Sequence, residues 1–469
     1  MPIFSRPIVT RSRIKNRLLV LSTFLSLTLL FYLNNRGPAL PAATSAAVNF
    51  HLSPPPPPPP PLSVHDLLFS IASSSSSLPR RIPYIRLWCD PISAHNNTFI
   101  FLDRPTTEPT NPSSIPPIVL SSKSSPNLPS GYRIALIVKD AVTLDIPNIH
   151  WYVFGDDDTV FFTENLVRIL SKYDHNRWYY IGYGSESFEQ NDKFFFNMAF
   201  GGGGFAISAP LARVLARVLD SCLDRYPHLY GSDARIFACL SELGVGLTPE
   251  PGFHQVDVRG NLFGFLAAHP LSPLLSLHHM EAVEPIFPGM SRIQSLEHLF
   301  KAIQVDPAKV LQQTVCYDYT NSLTISIAWG YAVQIYEGNK LLLDILSLQK
   351  SFRPWRRGKN VDSSHYMFNT REFPRDPCKR PAVFFMDTVV SDTNQVWTSY
   401  TKRDVDSCVR LKAIEKLKVI RVLSPKLDFD IEQLKTPRRH CCDISPSFDE
   451  KMVVQIRQCG MDELVTMRT

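Results

Sequence analysis

The chain has 469 residues, 44% hydrophobic and 20% charged, with a formal net charge of +6. It is too apolar for a disordered protein and long enough to bury a large core, in two globular parts. The charge excess is modest and much of it lies near the N-terminus, so no nucleic-acid partner is expected.

Five basic residues precede the apolar run 18–33, and only Arg36 follows it closely: Arg6, Arg11, Arg13, Lys15 and Arg17. This asymmetry predicts a cytoplasmic tail at 1–17, a transmembrane signal-anchor at 18–33 and a luminal remainder. The run is shorter than the roughly 20 residues of a usual span, which thin early secretory membranes tolerate. A cleaved signal peptide, with small residues at 41–47, is the alternative.

Residues 34–62 are predicted to be a stem. Eight consecutive prolines at 54–61 force an extended polyproline helix, which cannot pack a core and acts as a semi-rigid spacer. Two parts are expected beyond it, at 63–290 and 291–469.

A strand predicted at 67–72 leads into a serine loop at 73–77 and the basic pair Arg80-Arg81. This arrangement fits the first turn of a nucleotide-binding sheet, where backbone donors and arginines contact phosphate. A plain surface loop is an equal alternative. Strands are predicted at 98–102 and 118–120 and a helix at 133–144, with a glycosylation sequon at 96–98.

Three acids, Asp156, Asp157 and Asp158, end the apolar run 151–154 before apolar residues resume at 160–162. A short, continuously apolar run is typical of a strand buried in an α/β sheet, and ligands bind beyond the carboxyl ends of such strands. Adjacent carboxylates need a counter-charge, so the pattern predicts a divalent metal site rather than an acidic turn.

Helical spacing is predicted after Thr163, which would act as the cap, and a strand at 178–181. Four glycines at 201–204 indicate backbone that something approaches closely, although no P-loop or GxGxxG pattern is present. Ser208 and Pro210 open the next amphipathic helix.

Asp233 is placed in the first turn of a helix that Ser232 would cap and Gly244 would end. The helix dipole favours an ionised carboxylate there, which can act as a base. Ordinary helix-start chemistry explains the residue equally well. Four histidines follow as candidate metal ligands, each singly more typical of an ordinary core or surface residue: His254, His269, His278 and His279.

The C-terminal part is predicted to be β-rich, with short helices at 295–303 and 307–312 and one long strand at 324–336. Five of its cysteines predict disulfides, since their spacing does not fit a zinc site: Cys378, Cys408, Cys441, Cys442 and Cys459. Nine cysteines in an oxidising lumen leave at least one unpaired, and Cys222 and Cys239 are a predicted pair.

Several motifs together carry a resemblance: the serine loop with Arg80-Arg81, GDDDTVFFTENL, YYIG, MAFGGGGFAIS, YGSDARI, GFHQVD, FLAAHPLSPL and SLHHME. From about His65 to the C-terminus the chain resembles the plant Fringe-related proteins, a domain-of-unknown-function group within glycosyltransferase family 31. The resemblance implies a GT-A fold, a Rossmann-like sheet that binds a nucleotide sugar, with a smaller β-rich C-terminal part.

The resemblance also implies residue roles. Asp158 would bind Mn²⁺ directly together with His278, for which His254 is the fallback, and Asp233 would be the catalytic base. The expected donor-binding residues are Ser73, Arg81, Asp156, Asp157, Gly202 and Gly203. Cys89 stands where the family usually has a second tryptophan and is the expected unpaired thiol. The loop before Arg133 is shortened, which affects the acceptor side.

The implied function is an inverting, Mn²⁺-dependent transfer from a UDP-sugar to a glycan or glycoprotein hydroxyl in the Golgi membrane, with a β-1,3 linkage. One alternative is a catalytically silent Golgi scaffold or lectin-like protein. Another is a haloacid-dehalogenase-like phosphatase, because Asp156, Asp158 and Val160 satisfy its motif. That class places its aspartates on the first strand of a cytosolic domain, which disfavours it here.

Overall fold

The computed structural model describes residue 31 and residues 61–89, 97–105, 115–121, 133–356, 365–403, 408–427, 431–448 and 450–466. Pro61–Thr469 form one compact unit. The predicted tail, the predicted stem up to residue 60, and the anchor apart from Phe31 lie outside the described residues, as does Asn96 of the sequon. Within the described part, no helix is both long and apolar enough for a membrane span.

The first part of the chain alternates strands and helices. Its strands are β1 Leu67–Ala72, β2 Asn97–Leu102, β3 Ile118–Leu120, β4 Trp151–Asp156, β5 Val160–Phe161, β6 Tyr180–Gly182, β7 Phe205–Ser208, β8 Leu247–Pro249, β9 Val258–Gly260 and β10 Ser276–Leu277. Its helices are α1 Leu78–Arg86, α2 Arg133–Thr143, α3 Thr163–Leu170, α4 Phe188–Lys193, α5 Ala209–Leu223, α6 Ser232–Glu242, α7 Phe263–Leu266 and α8 Arg292–Val305.

Seven of these strands form one sheet in the order β3-β2-β1-β4-β7-β6-β8. Strands β1 to β4 run parallel, whereas β7 is antiparallel to both β4 and β6. Helices cover both faces of the sheet, so alternate β1 residues pack in different cores. Phe69 packs in one hydrophobic cluster and Leu68 in the other. The chain moves outward from β1 to β3 and then returns to the opposite side of β1. The carboxyl ends of β1 and β4 therefore flank the crevice where such sheets bind ligands.

The second part is dominated by an antiparallel sheet. Its strands are β11 Gln313–Asp318, β12 Leu323–Ala328, β13 Ala332–Glu337, β14 Leu348–Gln349, β15 Phe352–Pro354, β16 Thr370–Arg371, β17 Ala382–Ser391, β18 Gln395–Lys402, β19 Val419–Pro425, β20 Cys441–Phe448 and β21 Lys451–Arg457. Its helices are α9 Leu342–Leu346, α10 Lys412–Glu415 and α11 Ile431–Lys435, and a 3₁₀ helix lies at Pro377–Lys379. A further 3₁₀ helix, Val64–Asp66, precedes β1 in the first part.

Eight strands of this part pair in the order β11-β12-β13-β17-β18-β19-β21-β20, antiparallel except for β19 with β21. Strand β15 pairs with β9 of the first part, and one hydrophobic cluster contains residues from both parts. The predicted boundary at residues 290 and 291 is thus bridged by a strand pair and a shared core. The division of the chain into parts at 63–290 and 291–469 stays a prediction.

Four local predictions were wrong. Thr163 is the first residue of α3 rather than its cap, and α6 begins at Ser232 after Gly231, whose φ is 88°. The predicted strand 324–336 is a hairpin, because Gly330 adopts a φ of 76° between β12 and β13. Residues 307–312 form turns, not a helix.

The cysteine predictions were confirmed. Cys222 pairs with Cys239 across α5 and α6, and the other disulfides are Cys316–Cys442, Cys378–Cys408 and Cys441–Cys459. Cys89 is buried and belongs to none of the four. Three of these disulfides therefore cross-link the C-terminal part.

Candidate functional site

The three acids leave the carboxyl end of β4, where Asp156 lies beside Ala72, the last residue of β1. Thr159 fixes their turn: its N–H donates to the Asp156 carbonyl (3.0 Å) and its hydroxyl accepts the Asp156 N–H (2.8 Å). The same hydroxyl donates to the Gly202 carbonyl (2.8 Å), and the Trp88 indole donates to the Thr159 carbonyl (3.1 Å). The turn is therefore held in one conformation from several sides.

Asp157 is buried and connects the acids to the serine loop. The hydroxyls of Ser73 and Ser77 both donate to its Oδ2, at 2.7 and 2.6 Å. Burial raises the pKa of Asp157, and these two hydroxyls oppose that rise. Ser73 thus holds an acid in place, and the serine loop is part of the site rather than an isolated surface loop.

Asp158 is buried between Arg81 and His278. Nη1 of Arg81 contacts its Oδ2, and Nε2 of His278 lies 3.0 Å from its Oδ1. Burial alone would raise the pKa of Asp158, but His278 and Arg81 lower it below its ordinary value. Nη2 of Arg81 lies 3.1 Å from Glu281, so one guanidinium bridges α1 to the segment after His278.

Asp156, Asp158 and His278 each offer a ligand atom, and these three atoms lie within 4.8 Å of one another. Nε2 of His278 is 3.6 Å from Oδ2 of Asp156. Burial opposes a charge on His278, yet Asp158 and Asp156 raise its pKa to about 9. Burial raises the pKa of Asp156 to about 7. Two carboxylates and an imidazole that converge on one point are a donor set that fits a divalent cation.

The glycine run explains how the site is packed. A Cβ on Gly202 would lie 2.1 Å from Cε1 of His278, so the imidazole occupies the space that a side chain would need. Gly204 has a φ of 83°, which favours glycine. Gly203 donates its N–H to Oε1 of Gln255 at 2.5 Å. The run therefore seats the metal-candidate histidine, while any contact of Gly202 and Gly203 with a donor stays a prediction.

Asp233 lies half-buried in the first turn of α6 and lines a cleft of about 370 Å³. Burial raises the pKa of its carboxyl, while the Gly201 N–H donates to it and opposes the rise. Asp233 is close enough to Asp156 and His278 for their charges to interact. The candidate base and the candidate metal ligands thus belong to one connected site.

His254 lies in a different network. Its Nδ1 is 3.1 Å from Glu186 and its Nε2 is 2.8 Å from Nε2 of His269. Burial lowers the pKa of His254 to about 3 and raises that of Glu186 to about 8. The structure brings His278, and not the fallback His254, to the acids.

Three contributions were not predicted from the sequence. Glu281 binds Arg81, Gln255 binds the glycine run, and Trp355 of the C-terminal part lines the Asp233 cleft. Glu281 lies in the SLHHME motif beside His278, which was the available signal. Trp355 follows β15 and is far from Asp233 in the sequence, so no local sequence pattern could connect the two residues.

Comparison with known families gives two matches. Residues 62–264 match the Fringe-like family, and residues 190–442, more than half of the chain, match the family described as "Protein of unknown function, DUF604". No curated protein matches. A solved structure described as "Crystal Structure of a Mycobacterial Protein" aligns at 9% identity over 56% of this chain and 83% of that chain, with a TM-score of 0.25. A likeness that weak carries no information about function.

The Fringe-like match covers β1 to β9, including the acid turn, the glycine run and Asp233. It supports a function of the glycosyltransferase family 31 type, with a sugar donor and a glycan acceptor. The DUF604 match begins within α4 and extends into β20, so it contains His278 and Trp355. The chain therefore belongs to the DUF604 family and is a Fringe-related protein of the glycosyltransferase type.

Proposed function

We propose that the protein is an inverting, UDP-sugar-dependent glycosyltransferase with a GT-A fold, which forms a β-1,3 linkage to a glycan or glycoprotein hydroxyl. The observation that carries this proposal is the convergence of Asp156, Asp158 and His278 beside β1 and β4. That crevice is the ligand-binding position of a doubly wound sheet. The proposed location is the Golgi membrane, as a single-pass type II protein.

The donor side follows from the charges. Arg81 pairs with Asp158 and Glu281, and in this proposal it would also contact the diphosphate of the donor. A guanidinium binds phosphate oxygens in a fixed fork geometry. Ser73 and Ser77 hold Asp157, which leaves Asp156 and Asp158 to face the bound group. We expect Arg81 to exchange part of its carboxylate pairing for the diphosphate.

Asp158 and His278 would hold Mn²⁺, with Asp156 in reach. When bound, the cation would neutralise charge on the departing UDP. The chain's own contribution is to keep these ligands in register: Thr159 fixes the turn, and Gly202 gives the His278 ring its position. Such supporting contacts usually matter for metal affinity.

Asp233 would accept the proton of the acceptor hydroxyl. Its raised pKa makes it a better proton acceptor than an exposed aspartate, and the Gly201 N–H orients its carboxylate. The attacking oxygen forms a bond to the anomeric carbon as the bond to UDP breaks, and the proton passes to Asp233. One carboxylate is enough, because the leaving group needs no proton.

The rival classes make different demands. A haloacid-dehalogenase-like enzyme needs its nucleophilic aspartate on the first strand of its domain, whereas Asp156 ends β4. A silent scaffold or lectin would have no need for ionisable groups held as closely as Asp158 and His278. The structure therefore gives more support to the transferase.

The test is a UDP-release assay with several UDP-sugars, paired with calorimetric titration of UDP in the presence and absence of Mn²⁺. Wild-type protein should release UDP from at least one UDP-sugar. It should also bind UDP more tightly in the presence of Mn²⁺ than in its absence. Asp158→Ala should lose both properties together, with affinity falling on the order of 100-fold, since even outer-shell changes cost 10- to 100-fold. UDP binding without turnover would favour the lectin or scaffold. Phosphate release without UDP binding would favour the phosphatase.

A further inference from the structure

A second cavity lies between the two parts of the chain, and none of the candidate metal, donor or base residues lines it. We infer that this cavity binds a polypeptide segment of a partner protein in which acidic and apolar side chains alternate, with Arg403 as the anchor for a partner carboxylate. The inference goes beyond the proposed function, because this binding needs neither UDP nor Mn²⁺.

The cavity is separate from the Asp233 cleft but close to it. Its volume is about 820 Å³, and it shares no lining residue with that cleft. Strand β9 connects the two, since Asp257 precedes this strand and lines the cleft, whereas Asn261 follows it and lines the cavity. A strand of three residues spans about 10 Å. A partner bound in the cavity would therefore lie beside the candidate site.

Basic groups dominate the charge of the cavity lining. Six charged side chains line it, four of them basic: Arg380, Lys402, Arg403, Arg410, Glu284 and Glu415. Among the described residues, none of the four basic groups forms an ion pair with a carboxylate; Asp404 and Asp406 lie outside that part of the chain. The described lining thus has an excess of positive charge, which favours an anionic partner.

Arg403 is the basic residue with the most capacity left for a ligand. Arg410 donates to the carbonyl of Arg380 (3.0 Å) and Arg380 to that of Pro374 (2.7 Å), so both of these side chains hold backbone. The described residues offer the Arg403 side chain no such partner. Its charge lowers the pKa of the buried Tyr331 hydroxyl against the effect of burial, so its guanidinium lies near this wall of the cavity. A guanidinium can bind one carboxylate through two parallel N–H donors.

The apolar part of the lining suits the side chains of a polypeptide. Phe373 and Phe385 contribute aromatic rings, and Ile286 and Met290 add aliphatic surface. Val409, beside the basic groups, is 98% exposed. A small inorganic anion would contact the basic groups and leave this surface in water. A segment with both acidic and apolar side chains would cover both kinds of surface.

The walls of the cavity are held in place before any partner binds. Four lining residues are prolines, whose φ is fixed: Pro285, Pro288, Pro377 and Pro381. The disulfide Cys378–Cys408 joins two segments of the wall, and the guanidinium carbon of Arg380 lies 4.3 Å from the ring centroid of Phe373. A preformed surface loses little conformational entropy on binding, which favours capture of an extended segment.

The test starts with random ten-residue peptides displayed on phage and selected on full-length protein in detergent, without UDP or Mn²⁺. We expect the selected sequences to be enriched in Asp or Glu next to aromatic or aliphatic residues. A selected peptide, synthesised with a fluorophore, should bind Arg403→Glu about 10-fold more weakly than wild type, because arginines are among the residues that dominate such interfaces. Its affinity should also fall as salt is added. Fluorescence anisotropy measures both effects.

Matched variants and a cross-link locate the binding site. Arg403→Lys keeps the charge and should bind the peptide more tightly than Arg403→Glu. Arg421→Glu makes the same charge change at an exposed position on β19, outside the cavity lining, and should leave the affinity unchanged. A photo-reactive group on the peptide should label a lining segment such as 285–290. Circular dichroism checks that each variant is folded.

Three results would each overturn the inference: selected peptides without acidic enrichment, equal affinity of Arg403→Glu and wild type, or cross-links outside the cavity lining. Displacement of the peptide by UDP would also overturn it, since the peptide would then occupy the donor site. UDP release from the same samples tests the proposed function separately. If peptide binding is intact and no UDP is released, only the transferase assignment fails.

Discussion

The two sheets of this protein are stabilised in different ways. The first sheet has a parallel half whose carboxyl edge carries the ionisable cluster, and one disulfide joins two of its covering helices. The second sheet is almost entirely antiparallel, and Cys316–Cys442 connects its first strand, β11, to its last, β20. Among the described residues, the other group with metal-site geometry is Cys441, Cys459 and Glu463. Its two thiols form a disulfide.

The two sheets differ in which of their groups need stabilising partners. At the carboxyl edge of the first sheet the buried carboxylate of Asp158 is stabilised by its partners Arg81 and His278. The second sheet needs protection for its edge strands, which otherwise offer unpaired backbone groups to other chains. The Cys316–Cys442 disulfide joins the two strands that end this sheet's order, β11 and β20. Three of the four disulfides thus lie in the second part, whereas the candidate metal ligands lie in the first.

The largest effect is expected at Asp233. Asp233→Asn keeps the shape of the side chain but cannot accept the acceptor's proton, so turnover should fall by roughly 10²–10⁴ while UDP affinity stays near wild type. UDP release and calorimetry measure the two quantities. Glu164→Gln, in the first turn of α3, is the matched control. If Asp233 only stabilises its helix start, the variant will lose about 0.3–1 kcal/mol of stability and keep its turnover.

The disulfide between the edge strands should have the next largest effect. Replacing both Cys316 and Cys442 by alanine opens a link over 126 residues, which should lower the free energy of unfolding by about 5 kcal/mol. The 17-residue link Cys222–Cys239 should contribute less, about 3 kcal/mol. Urea unfolding measures both. UDP affinity at low temperature should survive the first change, and its loss would show that the two sheets are not functionally separate.

Gly202→Ala should weaken Mn²⁺ binding about 10-fold, by analogy with the loss of other contacts that orient a ligand. The reason is that the new Cβ would collide with the His278 ring. Gly246→Ala is the control, since nothing lies within 4 Å of its added Cβ. Equal Mn²⁺ affinity in the two variants would mean that His278 does not bind the metal in this position.

The remaining prediction concerns pH. Lys309 is buried beside Asp306, with Nζ 3.5 Å from Oδ2, and burial lowers the pKa of Lys309 from 10.5 to about 8. Between those values the unfolded chain holds a proton that the folded chain has lost, so stability should rise with pH from about 8 to 10.5. Thermal or urea unfolding across this window tests the sign. Lys309→Met should remove the rise, and an unchanged slope in this variant would assign it to other groups.

The sequence predicted the elements that follow from local patterns. Continuous apolar runs placed β1 and β4, and the spacing of Cys222 and Cys239 on flanking helices anticipated their pairing. The turn at Gly330 was missed because strand-forming residues run through it without a polar interruption. Contacts between distant segments were also missed, since the position of Trp355 depends on the pairing of β15 with β9.

The candidate site, like the fold, could be predicted only in part from the sequence. The resemblance implied that Asp156, Asp158 and His278 belong together, and the structure places their ligand atoms within 4.8 Å of one another. The choice between His254 and His278 could not be made from spacing, because both follow short apolar segments. Tertiary packing decides it: His254 contacts Glu186 and His269 instead. Whether these residues bind the metal and the donor stays a prediction.

The most direct measurement is anomalous diffraction from crystals grown with Mn²⁺ and UDP. The account predicts one manganese peak in contact with Asp158 and His278, next to a diphosphate at the carboxyl ends of β1 and β4, with Arg81 beside it. A manganese peak elsewhere, or UDP bound away from this crevice, would contradict the assignment of the donor site.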